Sequence, residues 1–315
     1  MIRTLTSDNA YLVRKAVASS LPEIVKSIVP ENEQTAFTIA ASRKFAADPS
    51  DAVKQGLLEI MGPLIYVFAG RVPDELVDIF LGGNAAVPTS ASTPSQATKF
   101  TPLIPAFAVK ALPAADTAAA SDSAAITWDP AKDNERAIIS AYNIPGVVLS
   151  MGAEGWPRLR QLHHQLTTKS AISQARYLLA SSIHDVARVI GPKQASSDLL
   201  PLFETLAEDQ DPEVILRAFE RYPEFIDHVE DSSLERIGTL LSRTWEQSPA
   251  KDWRLREVLA ESLAALATKT GRVEGIQALA VQLLCKVLQD SITSVRMWGT
   301  QAVGSFLSSL SPLQC

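Results

Sequence analysis

The chain has 315 residues, of which 46% are apolar, 20% are charged and only 6% are aromatic, with a formal net charge of −6. This composition allows a sizeable aliphatic core, and the small number of glycines favours helices over strands. The mild acidity argues against a dedicated nucleic-acid-binding protein, which usually has a basic face. Two cysteines cannot form a disulfide framework, so we expect an intracellular protein, in the cytoplasm or the nucleus.

The sequence contains no candidate membrane span. Its longest uncharged apolar stretch, residues 60–70, is interrupted by Gly62 and Pro63. A transmembrane helix needs about 20 apolar residues, so this stretch is too short. The N-terminus also lacks the apolar region of a secretory signal. We therefore expect a soluble protein with no membrane partner.

A two-residue mark, usually ending in Arg or Lys, recurs at steps of about 40 residues. It begins at residues 13, 53, 135, 175, 214, 255 and 295. Only the step from 53 to 135 is anomalous, and it is about twice the others. This spacing is typical of two-helix HEAT or armadillo repeats. We predict an all-α, HEAT-type two-helix repeat solenoid (an α-α superhelix) of about seven repeats.

The long step is explained by an insertion within one repeat. Residues 82–132 contain 32 Ala, Pro, Ser or Thr among 51 residues, too few apolar side chains to offset the entropy of ordering. We predict three regions: N-terminal repeats over 1–81, a disordered insertion over 82–132, and C-terminal repeats over 133–315. An apolar island at residues 100–112 is interpreted either as a partly collapsed loop or as a docking motif.

Short polar turns precede the marked helices, and several of them contain Asp, which is a favourable helix cap. Prolines recur inside or near the marked helices at Pro22, Pro63, Pro145 and Pro223, and we expect them to kink or end those helices. The first repeat has only a few residues before its Asp8 turn. We therefore expect the chain to be a fragment, or a shortened relative of a longer array.

The basic residue of the mark forms a candidate ladder along the repeats. Its members are Arg14, Lys54, Arg136, Arg176, Arg256 and Arg296, and Ile215 interrupts the series. We favour a structural role, in which each base pairs with a turn carboxylate of its own or a neighbouring repeat. The alternative is a ligand-binding role.

Catalytic and cofactor-binding patterns are missing from the sequence. It contains no nucleophile elbow, phosphate-binding loop or dinucleotide fingerprint. His163 and His164 are adjacent and point about 100° apart on a helix, so they are poorly placed to chelate one metal ion. Cys285 is predicted to be a small core residue. We predict a non-enzymatic protein without a cofactor or metal.

The best functional candidate is the turn that ends in Trp253 and Arg254. Trp and Arg are the residue types most enriched at binding hot spots. The alternative is that Trp253 packs against the next repeat and serves the fold.

Four segments together resemble one family of HEAT proteins. They are residues 142–152 (YNIPGVVLSMG), 182–187 (SIHDVA), 198–203 (DLLPLF) and 252–261 (DWRLREVLAE). They resemble the protein phosphatase 4 regulatory subunit 1 family, and the Trp-Arg-x-Arg word is shared with the related scaffold subunit of protein phosphatase 2A. The chain is much shorter than the animal members of this family.

The resemblance implies a non-catalytic regulatory or scaffold subunit. Such a subunit would bind the catalytic subunit of a Ser/Thr protein phosphatase of type 4, help direct it to substrates, and allow a further regulatory subunit to join. By the same resemblance, intra-repeat turns grip the partner, which points to Trp253, Arg254, Asp211 and Ser291. The alternatives are a generic HEAT adaptor for complex assembly or transport and a phosphatase 2A-type scaffold.

Overall fold

The computed structural model describes residues 2–28, 30–82, 128–271 and 273–310, and within these ranges it contains helices and no β-strand. The helices are α1 (Ile2–Leu5), α2 (Tyr11–Ser19), α3 (Leu21–Lys26), α4 (Glu31–Ala46), α5 (Asp51–Tyr66), α6 (Asp74–Leu81), α7 (Asn134–Met151), α8 (Trp156–Lys169), α9 (Ser173–Ile190), α10 (Pro192–Gln194), α11 (Leu200–Ala207), α12 (Pro212–Glu220), α13 (Tyr222–Ile226), α14 (Leu234–Gln247), α15 (Trp253–Ala267), α16 (Glu274–Leu288) and α17 (Thr293–Ser309). The predicted all-α repeat solenoid is confirmed. None of the described helices combines the length and apolarity that crossing a membrane requires.

The helices form two layers, as expected for stacked helix pairs. The second helices of successive repeats pack against one another in chain order, as α2, α5, α7, α9, α12, α15 and α17. The first helices form the other layer, in which α4 contacts α6, α8 contacts α11, and α14 contacts α16. Ion pairs add to this layer, for example Arg236 of α14 with Glu204 of α11. Each repeat therefore buries its apolar face against its neighbours.

The core is one continuous and mainly aliphatic cluster that runs from Val17 to Ala302. Its aromatic members concentrate near the middle, where Phe203 stacks on Phe225 with ring centroids 4.7 Å apart and packs edge-on against Phe219. Cys285 is not part of this core. The prediction for it was wrong, because Cys285 lies on the exposed side of α16, next to the buried Leu283 and Leu284.

The recurring prolines act in two ways. Pro22 and Pro223 each stand at the second residue of a new helix, so the second helix is divided there into α2 and α3 and into α12 and α13. Pro63 and Pro145 lie inside α5 and α7, which continue past them.

The repeats on either side of the predicted insertion pack directly against each other. The side chain of Asn143 in α7 accepts a hydrogen bond from the Gly62 N–H of α5 at 3.2 Å and donates to the Leu58 carbonyl at 3.4 Å. The Gly70 N–H also donates to the Ser150 carbonyl at 3.0 Å. Helices α5 and α7 therefore behave as consecutive second helices.

Residues 83–127, and with them the apolar island, lie outside the described residues, so the predicted disorder of the insertion stays a prediction. At the C-terminal end of the predicted segment, Pro130 is buried and Trp128 packs against the core.

Candidate functional site

The loops that join the first and second helix of each repeat follow one another along one edge of the solenoid. We call them the turn ridge, defined as residues 6–10, 47–50, 170–172, 208–211, 248–252 and 289–292. Four of these turns carry an aspartate at the same place, namely Asp8, Asp48, Asp209 and Asp290. In each case Oδ1 accepts the backbone N–H two residues further on, at 2.8–2.9 Å. This local bond fixes the carboxylate before the second helix begins.

Arginines of the second helices connect successive turns into a ladder. Arg14 donates from Nε and Nη2 to the two carboxylate oxygens of Asp48, at 2.7 and 2.9 Å. Equivalent ion pairs join Arg176 to Asp209 and Arg256 to Asp290. In every pair the carboxylate belongs to the next turn, 33 or 34 residues further along the chain. These side chains are largely buried, so the pairs are shielded from solvent screening.

Three arginines at the ladder positions also bind the turn of their own repeat. The Nη1 groups of Arg14, Arg176 and Arg296 each donate to the backbone carbonyl six residues earlier, at 2.7–2.8 Å. A guanidinium with its five donors can make both sets of bonds at once. The Arg14 hydrogen bond holds the pKa of Asp48 below its usual value, against the opposing effect of burial.

Two predicted members of the ladder, Lys54 and Arg136, do not reach across to the next turn, and Arg296 binds the backbone carbonyls of its own turn. Lys54 pairs with Asp51 of its own repeat at 2.9 Å, as the sequence allowed, although the turn before α7 carries Asp129. Arg136 lies over the Trp128 ring, 4.9 Å from its centroid, and the equivalent acceptor position in the next turn is Ser170. The predicted pair is absent at Arg136 because this turn has no carboxylate at that position.

The tryptophan and arginine predicted to bind a partner lie at the start of α15, beside the turn 248–252. Trp253 is 47% exposed, and the Arg254 guanidinium carbon lies 5.3 Å from the centroid of its ring. Asp252 caps this helix by accepting the Leu255 N–H at 3.3 Å. Trp253 therefore presents nearly half of its surface to solvent. This stacked Trp–Arg pair could contact a partner without rearrangement of the backbone.

The two other predicted contact residues lie on the neighbouring turns. Asp211 caps α12 by accepting the Glu213 N–H at 3.0 Å, and a Ser173 hydrogen bond together with this cap lowers the pKa of Asp211. Its carboxylate therefore already serves the fold. Ser291 is exposed, and its carbonyl accepts a hydrogen bond from Arg296 at 2.9 Å. The four predicted residues thus lie on three successive turns of the ridge.

The sequence interpretation missed the aromatic partners of the ladder arginines. Arg256 lies over the Trp245 ring, 4.3 Å from its centroid, much as Arg136 lies over Trp128. Cation–π contacts of this kind add to the ion pairs. The available signal was a tryptophan shortly before the base in the same repeat, but sequence alone does not place the two side chains face to face.

The histidines are not gathered into a site. His163 is fully buried beside Trp156, with ring centroids 5.8 Å apart, whereas His164 is exposed. Burial lowers the pKa of His163 to about 4. Among the described residues, no three His, Cys, Asp or Glu side chains are grouped so that they could hold a metal ion.

The middle of the chain is similar to known proteins. Residues 140–244 match the family model described as the protein phosphatase 4 regulatory subunit 1 middle domain. The human and mouse proteins named serine/threonine-protein phosphatase 4 regulatory subunit 1 are each 30% identical over 134 residues, which is 42% of this chain and 14% of theirs. The resemblance to this family is confirmed, and it is carried by the segment that includes α8, α9, α11 and α12. Trp253 and Arg254 lie beyond the matched domain.

A comparison with solved structures matches two crystal structures of engineered proteins. The first is 15% identical, covers 98% of this chain and 67% of its own, and has a TM-score of 0.47. The second is 14% identical, covers 98% of this chain and 96% of its own, and has a TM-score of 0.37.

Proposed function

We propose that this chain, whose middle helices belong to the protein phosphatase 4 regulatory subunit 1 family, is a non-catalytic subunit that binds the catalytic subunit of a Ser/Thr phosphatase of type 4. The match over residues 140–244 is the observation that carries the proposal. In this assembly the chain holds the enzyme and helps direct it to substrates, while the partner supplies the metals and the hydrolysis. The matched segment is 14% of the length of the human relative, so the activities of that whole protein are proposals for this chain.

The turn ridge is the proposed contact surface. Rigid aromatic and guanidinium groups that are already exposed cost little conformational entropy on binding, and Trp253 and Arg254 provide one of each. The ladder supports this use of the ridge because it holds successive turns at fixed positions relative to one another.

Binding of purified catalytic subunits by calorimetry tests the proposal. We expect the chain to bind a type-4 catalytic subunit more tightly than a type-2A one. The double variant Trp253→Ala, Arg254→Ala should weaken binding by at least about 2 kcal/mol, which is roughly 30-fold. A matched control is Leu307→Ala, because Leu307 is 55% exposed and lies near the opposite end of its helix, α17.

The possible outcomes distinguish an error in the proposed function from an error in the proposed contact surface. If neither catalytic subunit binds the folded chain, the proposed function is wrong. Preferential binding of the type-2A subunit would favour a phosphatase 2A-type scaffold. If the type-4 subunit binds both the double variant and the wild type equally, the function stands and the Trp253–Arg254 surface is rejected.

A further inference from the structure

The ladder has one gap in which both partners of a pair are replaced. Ile215 of α12 stands where Arg176 and Arg256 stand in their repeats. The ladder carboxylates Asp209 and Asp290 stand three residues before their second helix begins, and the same position in the next turn is Ala250. Neither the cation nor the carboxylate of the ladder is therefore present at this point.

A groove of about 730 Å³ lies at this gap, between the turns 208–211 and 248–252. Its lining includes Asp209, Ile215, Arg243, Ser248, Asp252 and Leu255. The groove lies on the turn ridge, directly beside the exposed Trp253. We call it the gap groove.

The preceding repeat shows which group binds at such a position. There the Arg176 guanidinium lies between two turns and donates to the Ser170 carbonyl at 2.7 Å and to the Asp209 carboxylate of the next turn at 3.0 Å. The residue equivalent to Ser170 in the gap, six positions before Ile215, is Asp209. The corresponding carbonyl therefore belongs to a residue that lines the groove.

The charge and polarity of the gap groove also match an arginine. Of the three carboxylates that line it, Glu208 pairs with Arg243 and Asp209 pairs with Arg176. The negative charge that a ligand can meet in the groove is therefore that of Asp252. Asp252 uses Oδ1 to cap α15 and places its negative charge at the groove wall. Ile215 and Leu255 supply apolar surface on which the alkyl part of an arginine can lie while its head binds oxygen atoms.

We propose that the gap groove binds an arginine side chain of a partner protein, which completes the ladder in trans. This inference deepens the proposed function, because it names the chemistry on the partner's side of the turn ridge. The partner inserts the cation that the chain supplies for itself at Arg176 and Arg256. A lysine fits less well, because it lacks the planar fork that binds two turns at once.

A peptide titration tests the groove without the catalytic subunit. The probe is a blocked Gly-Arg-Gly tripeptide, titrated into the ¹⁵N-labelled full chain and followed by the amide NMR signals of Ile215, Ser248 and Leu255. Blocked Gly-norleucine-Gly and Gly-Glu-Gly are the controls for apolar and acidic side chains. We expect saturable shifts at the groove with the arginine peptide, and shifts at least about tenfold weaker at the same concentration with both controls.

We expect two variants to change the binding of the arginine peptide in opposite directions. The pair Ile215→Arg with Ala250→Asp rebuilds the missing ladder contact inside the chain, so it should fold, melt no lower than the wild type and lose the peptide response. Ala250→Asp alone adds the carboxylate without the cation, so it should bind the arginine peptide several-fold more tightly. Circular dichroism and thermal melting verify that both variants are folded.

The proposal is overturned if the arginine peptide shifts no groove signal, if norleucine binds equally well, or if the rebuilt ladder leaves the response unchanged. These results do not depend on whether a catalytic subunit binds. If the type-4 catalytic subunit does bind the wild type, the rebuilt ladder should weaken that binding at least about tenfold. An unchanged affinity would reject the groove as part of that interface and leave the proposed function intact.

Discussion

At the scale of the residue, the ladder carboxylates are the feature with the clearest energetic consequence. Asp48 is 5% exposed and receives two hydrogen bonds from Arg14. Hydrogen bonds to charged groups contribute more than neutral ones, and a buried charge that loses its partner is costly. The sequence predicted that the bases pair with turn carboxylates. It left open whether the carboxylate belongs to the same or the next repeat, and the structure shows that it belongs to the next.

We expect Asp48→Asn to lower the free energy of unfolding by about 2 kcal/mol at neutral pH, measured by urea denaturation. Asparagine keeps the oxygen that accepts the Ser50 N–H, so the turn is preserved, while the charge and the Oδ2 acceptor of the Arg14 Nε–H are lost. The folded pKa of Asp48 is lowered, so its contribution is present above the normal Asp pKa and is lost as pH falls through the folded value. The difference between variant and wild type should therefore shrink in acid.

The control for this substitution is Asp51→Asn in the same region of the chain. The Asp51 side chain is 96% exposed and pairs with Lys54 on the surface. Surface pairs contribute at most about 1 kcal/mol. Equal destabilisation by the two variants would contradict a special role for the ladder.

His163 gives the protein an acid sensitivity, because it is buried without its charge. Because the folded pKa of His163 is about 4 and the unfolded value is near 6.5, the unfolded state binds the proton more readily between these pH values. Stability should be complete above about pH 6.5 and should fall by about 3 kcal/mol as the pH drops to 4. Below pH 4 this contribution changes no further.

We expect His163→Phe to remove most of this pH dependence, because phenylalanine can keep the edge-on contact with Trp156 and cannot be protonated. Unfolding curves between pH 4 and pH 7 measure the effect. His164→Phe is the matched control at the exposed neighbour. Because burial lowers the pKa of His163 more than the charge of His164 does, this variant should retain most of the wild-type pH dependence. If both variants keep that dependence, His163 is not its source.

At the scale of the element, the joint between α5 and α7 determines how the chain continues past the predicted insertion. A Cβ placed on Gly62 would lie 2.2 Å from Asn143 Oδ1, so only glycine allows this approach. A Cβ placed on Gly146 of α7 would meet no atom of another residue within 4 Å. The sequence indicated that Pro63 would disturb α5, but it did not reveal that a side chain from the next repeat binds the backbone beside this proline.

We expect Gly62→Ala to lower the free energy of unfolding by about 1–3 kcal/mol, because the new methyl group displaces Asn143 from its hydrogen bonds. Gly146→Ala should be neutral or stabilising by up to about 1 kcal/mol, since alanine is the better helix former. Thermal and urea denaturation of both variants provide the comparison. A neutral Gly62→Ala would show that the Asn143 contact contributes little to the joint.

At the scale of the whole molecule, the repeats before and after residues 83–127 form one continuous core. Limited trypsin digestion can cleave after Lys99 and Lys110 in this segment. We expect the N-terminal and C-terminal pieces to co-elute in size-exclusion chromatography, because α5 and α7 pack together through buried side chains. They should separate only in denaturant. Separate elution in native buffer would contradict a continuous solenoid.

The sequence by itself determined the repeat period, the all-helical fold and the family resemblance, because these depend on residues that recur locally along the chain. It also located the turns and the interruption at Ile215. Only the tertiary structure decided which arginines join the ladder, that Lys54 and Arg136 do not, and that a groove opens at the interruption. Those features depend on pairs such as Arg14–Asp48 and Gly62–Asn143, which are 34 and 81 residues apart. Such contacts arise only when neighbouring repeats stack, and the spacing of one repeat does not specify the side chains of the next.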